Sequence, residues 1–410
     1  MSDTCDVAIV GGGPAGLSAA VELKRQGVAR VVVLERFGRA GGIPRHCGHP
    51  PFGMREFRRV LSGPAYARRL VATAEEAGVE IRTDHTVTAV RPGGVLELAT
   101  TQGAMTLTAR RVLIATGNRE RTRAQRLAPG LRPVGVMNTA ALQSFVYEEG
   151  RKPFLRPVIV GSEMVALSAL LTCVRHGMRP VALVETRERV QTRRLFMALA
   201  ALLRVPVLTG AELLSIEGRT RVEGLRLLRN DGTETMLACD GIVFSGRFTP
   251  EATVARASGL ALDAGSLGPE IDAEGRSSDP HVFVAGNVLH PVETAGVCWA
   301  EGRRVAGVIA RELAAETGET TEPASRAGAV VRPGDGLRYV VPQRISGATE
   351  LNIRAEGAAR GRLVLRDATG RELVVKTLRA YPEQPIRLRV PALDAAALSG
   401  DLHLGLERDD

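Results

Sequence analysis

An apolar run that ends in a glycine turn and opens straight into a helix permits few architectures, and the chain begins with one: "CDVAIVGGGPAGLSAAVELKRQGVARVVVLER", residues 5–36. The two apolar runs suit strands buried on both faces, and the segment between them has the Ala/Leu pattern of a helix. Together they form a βαβ unit. Gly11, Gly13 and Gly16 fall on GxGxxG at the start of that helix, with Pro14 and Ala15 inside the turn. Glycine is needed there because the turn is tight, a pyrophosphate must approach the backbone, and the helix must pack closely on the strand. The phosphate charge then meets the helix N-terminus. Glu35 ends the second strand nineteen residues after Gly16, where it can accept hydrogen bonds from ribose hydroxyls, and Arg36 adjoins it. A glycine triplet alone says little, but with the strand, the helix and the spaced acid it specifies a dinucleotide site.

A second strand, turn, helix and strand occupy 157–186 around "VIVGSEMVALSALL". Gly161 matches the first fingerprint glycine and Ala166 the third, which tolerates alanine, but the second position holds Glu163. Glu185 ends the following strand, as Glu35 does in the first unit. The fold of a nucleotide domain is therefore expected to persist while its phosphate chemistry is not, since a carboxylate in the turn opposes a diphosphate. Arg175, Arg187 and Arg189 are the residues that could offset that charge.

Between and beyond these units run a helix ("YARRLVATAEEAG"), a strand near Val79 to Arg82, alternating β segments to "RRVLIATGNRE", and, at 277–313, a strand, a loop and a long helix. "ETGETTEPASRAG" reads as a linker. After it, short alternating runs with a hairpin turn near Asp367 to Gly370 read as a small antiparallel β module. The expected fold is α/β: two Rossmann-like βαβ dinucleotide-binding domains, one inserted in the other, plus that C-terminal module. Expected boundaries are 1–118 with 275–320, then 119–274, then 330–410.

The net charge of +9 invites a nucleic-acid reading, yet 51 of the 54 basic residues are Arg, spread along the chain without interleaved aromatics. Solvated helix faces account for them. Five cysteines with no CxxC or CxxxxC pair argue against a disulfide framework and for a reducing cytosol. No apolar run approaches 18 residues and no signal segment precedes the first strand, so a soluble cytoplasmic protein without a membrane span is expected.

Three further stretches accompany the first fingerprint: Gly41 and Gly42 after the ribose acid, "VLIATG" at 112–117 with Thr116 and Gly117, and "VFVAGNV" at 282–288 with Gly286 and Asn287. In this order they resemble the glutathione-reductase-like flavoproteins with two dinucleotide-binding domains. The resemblance covers residues 5 to about 313 and implies FAD as the cofactor, held at these positions. The family's ribityl-chain acid is replaced here by Asn287, whose amide can still hydrogen-bond a ribityl hydroxyl. The resemblance also implies that the helix after Asn287, which begins near Thr294 and Trp299, points its N-terminus at the flavin's pyrimidine ring. "GGIPRHCGHPPFG", "LSGPAYARRL" and "RYVVPQRI" are similar to a bacterial NADH-oxidase-like subgroup, companions of glycerol-3-phosphate-dehydrogenase-type flavoproteins. More distantly, the chain resembles the alpha subunits of dye-linked amino-acid dehydrogenases.

The disulfide reductases of this kind carry CxxxxC after the paired glycines, whereas "GGIPRHCGH" supplies Cys47 alone. Cys47 could be a reactive thiolate if Arg45 or His46 lowers its pKa, or a small residue packed in a cofactor loop. His46 and His49 could relay protons to reduced flavin or bind a carbonyl or phosphate. No metal site is expected, because these adjacent ligand types lack a distant fourth. The resemblance implies an FAD-dependent oxidoreductase that serves as the electron-handling subunit of a heteromeric dehydrogenase acting on a small amino or hydroxy acid. Its implied partners are a small iron–sulfur protein and a substrate-oxidising flavoprotein subunit. The alternatives are a self-contained NAD(P)H:acceptor flavin oxidoreductase and a non-catalytic FAD-containing assembly subunit.

Overall fold

The computed structural model describes residues 3–192, 194–316, 328–382 and 384–409. Strand β1 (Thr4–Val10), helix α1 (Pro14–Arg25) and strand β2 (Val31–Leu34) form the first unit. β1 pairs in parallel with β2 on one side and with Gly103–Ile114 on the other. Glu80–Arg82 extends the parallel sheet beside β2, and Val282–Val284 extends it beside residues 112–114. The first half of Gly103–Ile114 instead pairs antiparallel with Val95–Thr100, which pairs with His85–Arg91.

The two-residue period of β1 divides its side chains between two cores. Val7 and Ile9 pack with α1, Gly63–Glu76 and the long helix Ala295–Ala315, while Ala8 and Val10 face the meander and the C-terminal residues Tyr339 and Val341. All four side chains of β2 are consequently buried, which is why its sequence is uniformly apolar.

A second parallel sheet has the order Val207–Leu208, Ala182–Val184, Pro157–Val160, Gly241–Phe244, Val136–Asn138, and Met164–Arg175 follows Pro157–Val160 as α1 follows β1. Asn118–Glu120 and Phe248–Pro250, which lead into and out of this region, pair antiparallel. Two Rossmann-like units, one within the other in sequence, are thus present as expected.

The C-terminal module is a sandwich of a five-stranded and a three-stranded sheet over one apolar core. Its hairpin forms where expected, with the Asp367 carboxylate accepting from the N–H groups of Thr369 and Arg371 at 3.0 Å each. The module is antiparallel as expected but for one pair: Ala329–Pro333 and Leu402–Arg408 run parallel, because the last strand inserts between the first strand and the hairpin. Of the linker expected at 316–328, residues 317–327 lie outside the described residues. No helix among the described residues is long and apolar enough to cross a membrane.

Candidate active site

The carboxyl ends of β1, β2, Gly103–Ile114 and Val282–Val284 open on a common cleft of about 820 Å³, the position at which open α/β sheets bind ligands. Gly11, Gly13, Pro14, Ala15, Glu35, Arg36, Gly42, His46, Cys47, His49, Thr116, Gly117, Gly286, Asn287 and Thr294 all line it. Gly16 does not, and its neighbours explain why a glycine stands there: a Cβ would lie 2.0 Å from Gly11 O and 3.1 Å from Ile9, so its place is the close contact of helix on strand. Gly11 has φ +109° and would put a Cβ 2.5 Å from Ala115 O.

Gly13 is the N-cap of α1, no side chain caps the helix, and no acid occupies its first turn. Its free N–H groups and helix dipole are therefore available to an anion. Gly42 lies across from Gly13, where a Cβ would come within 2.8 Å of Gly13 Cα. Glu35 is buried, with Oε2 accepting from Gly12 N and Oε1 from Phe37 N, both at 3.0 Å. An ionised carboxylate has about four acceptor sites, so lone pairs remain for ribose hydroxyls. The cleft's size, its free helix N-terminus and its buried acceptor fit a dinucleotide. Glu35→Ala is expected to weaken FAD binding by about 1.5 to 3 kcal/mol, tenfold or more. Fluorescence titration of apoprotein measures it, and unchanged affinity would rule out the ribose role.

The loop bearing Cys47 favours the packed residue over the reactive thiolate. Arg45 turns to Glu148, with Nε 2.6 Å from the carboxylate, and burial holds the His46 pKa down to about 4, with Glu148 opposing and Arg45 adding to the depression. Sequence neighbours thus supply no nearby cation. Burial, with Glu120 adding to it, pushes the Cys47 thiol up to about 12, and its Sγ donates to Gln143 Oε1 at 3.4 Å. At pH 8 it therefore stands as the neutral thiol. Cys47 should therefore alkylate with iodoacetamide far more slowly than a free thiol, which mass spectrometry would follow; labelling at a free-thiol rate would contradict the assignment. All five cysteines are free. His49 is half-buried, with Nδ1 3.0 Å from Pro50 O.

The Asn287 amide is committed to the protein itself: Oδ1 accepts from Glu293 N at 2.9 Å and Nδ2 donates to Glu293 O at 3.1 Å. A carboxylate could not make the second bond, so asparagine suits this clamp, and one N–H and one lone pair of the amide remain beyond it. Thr294 is the N-cap of Ala295–Ala315, and no side chain caps that helix. Trp299 packs against the first core, under the Arg303 guanidinium.

Sequence reading missed a buried pair behind Gly286. Glu301 Oε2 accepts from Gly286 N at 2.6 Å, and its Oε1 lies 3.0 Å from His290 Nε2. Burial opposes both charges, yet each partner stabilises the other: the His290 pKa is raised and that of Glu301 lowered. The one sequence signal was the density of titratable groups in "NVLHPVET".

At the second fingerprint the buried Glu163 folds back under its own turn, accepting from Ser162 N at 3.1 Å and from Ser245 Oγ. A Cβ on Gly161 or Gly246 would meet its side chain at 2.9 or 2.6 Å. Glu185 repeats the arrangement of Glu35, accepting from Arg187 N at 3.0 Å and from Ser162 Oγ. Glu120, also missed, accepts from Ala140 N at 2.8 Å and Gly246 N at 3.0 Å, and burial raises its pKa to about 7 against those two bonds. Arg126 donates to the carbonyls of Ser245 and Gly246.

Residues 5–302 match the pyridine nucleotide-disulphide oxidoreductase family. The chain belongs to that family. It is an FAD-dependent oxidoreductase of the two-dinucleotide-domain kind. An opine oxidase subunit of Rhizobium meliloti is 26% identical over 343 residues, 74% of this chain and 61% of the relative. The glutamate synthase [NADPH] small chain of Escherichia coli (strain K12) is 26% identical over 338 residues, 74% of this chain and 67% of the relative. The chain thus spans less than two thirds of the Rhizobium relative. T. acidophilum thioredoxin reductase shares the fold with a TM-score of 0.64 at 21% identity, over 76% of this chain and all of that one.

Proposed function

We propose that this oxidoreductase is the electron-handling subunit of a heteromeric dehydrogenase acting on a small amino or hydroxy acid. The observation that carries the reading is Glu163: the turn that would receive the phosphates of a nicotinamide nucleotide already holds a carboxylate on its own Ser162 N–H and Ser245 hydroxyl. With no disulfide among the five cysteines either, this reading has electrons reach and leave the flavin through other proteins. The opine oxidase and glutamate synthase relatives are themselves parts of larger enzymes, which supports this. A substrate-oxidising flavoprotein and a small iron–sulfur protein are the partners proposed.

In this reading residues 1–118 with 275–320 hold FAD, 119–274 form the second nucleotide-type domain, and 330–410 the β module. FAD, when bound, supplies a two-electron acceptor. The α1 N-terminus and the backbone at Gly11 to Gly13 bind pyrophosphate, Glu35 orients the ribose, and Gly42 leaves room for the cofactor's approach. The uncapped N-terminus at Thr294 stabilises negative charge that develops at the cleft. His49 stands half-buried at the cleft, whereas His46 stays neutral above about pH 4.

Anaerobic stopped-flow mixing tests the proposal. Dithionite should bleach the bound flavin, micromolar NADH or NADPH should not, and a small amino or hydroxy acid should do so only when a substrate-oxidising subunit is added. Bleaching by NADH at micromolar apparent affinity would replace it with a self-contained NAD(P)H oxidoreductase.

A further inference from the structure

The C-terminal β module lies outside residues 5–302 and carries no motif, yet one of its arginines reaches the wall of the cleft. Arg354, in strand Thr349–Ala355, is 4% exposed. Its Nε donates to Tyr339 Oη at 3.3 Å, and its Nη2 to Pro291 O at 3.5 Å and Glu293 Oε1 at 3.4 Å. Its Nη1 is buried with no hydrogen-bond partner among the described residues. Glu293, its side chain also 4% exposed, lines the cleft and has both backbone groups held by Asn287. A line of contacts therefore runs from the β module to the cleft: Tyr339, Arg354, Glu293, Asn287.

As a device for stability this pair is poor. Burying two ions costs several kcal/mol each, and apolar replacement of such pairs is often neutral or stabilising. The contacts are long and one N–H is unpaired, while the flanking Ile353 and Ala355 are apolar and buried. A costly charge pair on a residue of the cleft wall points to electrostatics as its use.

We propose that Arg354 is a positioning residue for the cofactor: acting through Glu293, it holds the Asn287–Thr294 loop and balances the charge at the cleft wall, and so sets the reduction potential of bound FAD. The inference rests on FAD occupying this cleft. Reduction adds negative charge, which a cation beside the cleft favours and a carboxylate opposes. The two side chains should therefore act with opposite signs.

Four variants test it by midpoint-potential titration against redox dyes, after flavin content has been measured. Arg354→Met should disfavour reduction about tenfold, near 30 mV more negative for a two-electron couple. Glu293→Gln should shift the potential by a similar amount in the positive direction. The double variant should return to within about twofold of the wild-type equilibrium, and Arg354→Lys should stay close to wild type. Equal potentials throughout, or the same sign for both single variants as a loosened loop would give, overturn the proposal. Should Arg354→Met fail to fold, a Glu293→Gln potential that is unchanged or more negative overturns it. A colourless wild-type protein would refute the cofactor reading itself and this inference with it, an outcome distinct from an unshifted potential.

Discussion

Gly13→Glu should yield a folded protein that retains no FAD. The backbone at Gly13 has φ −88°, a value open to any residue, and a Cβ there would meet only Gly42 Cα at an ordinary 3.8 Å. The turn and sheet should therefore survive the substitution. The added side chain stands at the free N-terminus of α1, on the cleft wall, where the pyrophosphate must lie. It takes up the close approach that glycine allows and sets a carboxylate against phosphate charge, each like pair at about 4 Å costing from about 1 kcal/mol in water to about 4 near a protein surface. Gly16→Ala provides the contrast. Its Cβ would sit 2.0 Å from Gly11 O, so the backbone itself must move and the fold should lose stability along with the cofactor. Thermal unfolding and flavin content after gel filtration in excess FAD separate the two cases. Full occupancy in folded Gly13→Glu would remove the pyrophosphate from this turn.

The parts of the fold legible in the sequence are those with local causes. The β1-α1-β2 unit is fixed by short-range steric demands at Gly11 and Gly16 and by two apolar runs buried on both faces. Both βαβ units and the hairpin at Asp367 to Gly370 could be read for that reason. What escaped depends on contacts distant in sequence. Glu301 holds Gly286 from fifteen residues away, and Arg354 reaches Glu293 across sixty-one. The parallel pairing within the β module joins Val331 to Leu402. Cys47 shows the converse limit. Arg45 and His46 are its neighbours in the chain, yet one turns to Glu148 and the other is buried and neutral, so neither activates the thiol. Asn287 was legible as a polar residue at the cleft, but the backbone of Glu293 that occupies its amide was not.

Glu163→Gly should raise affinity for NADH and NADPH at least tenfold. In the wild-type chain the Glu163 carboxylate sits on the Ser162 N–H, in the turn where the fingerprint places phosphate, and it fills the space above Gly161 and Gly246. A bound diphosphate would face that charge at close range. At about 4 Å the penalty runs from about 1 to about 4 kcal/mol depending on solvent exposure, a factor of roughly ten to several hundred in affinity. Removing the side chain restores G-x-G-x-x-A, frees Ser162 N and Ser245 Oγ as donors, and leaves Glu185 in place at the end of its strand. The residue lies at φ −78°, ψ 175°, so glycine is accommodated without strain. Loss of the buried contacts should lower the melting temperature by a few degrees, a cost of about 1 to 2 kcal/mol. Glu163→Gln divides the effect, since it keeps the volume and removes the charge: an intermediate gain assigns the remainder to steric exclusion. Equilibrium titration with NADH and NADPH, followed by anaerobic mixing, reads both steps. If neither variant binds nucleotide more tightly than the wild type, Glu163 is not what closes the second site, and the reading of this chain as a subunit fed by a partner loses its main support.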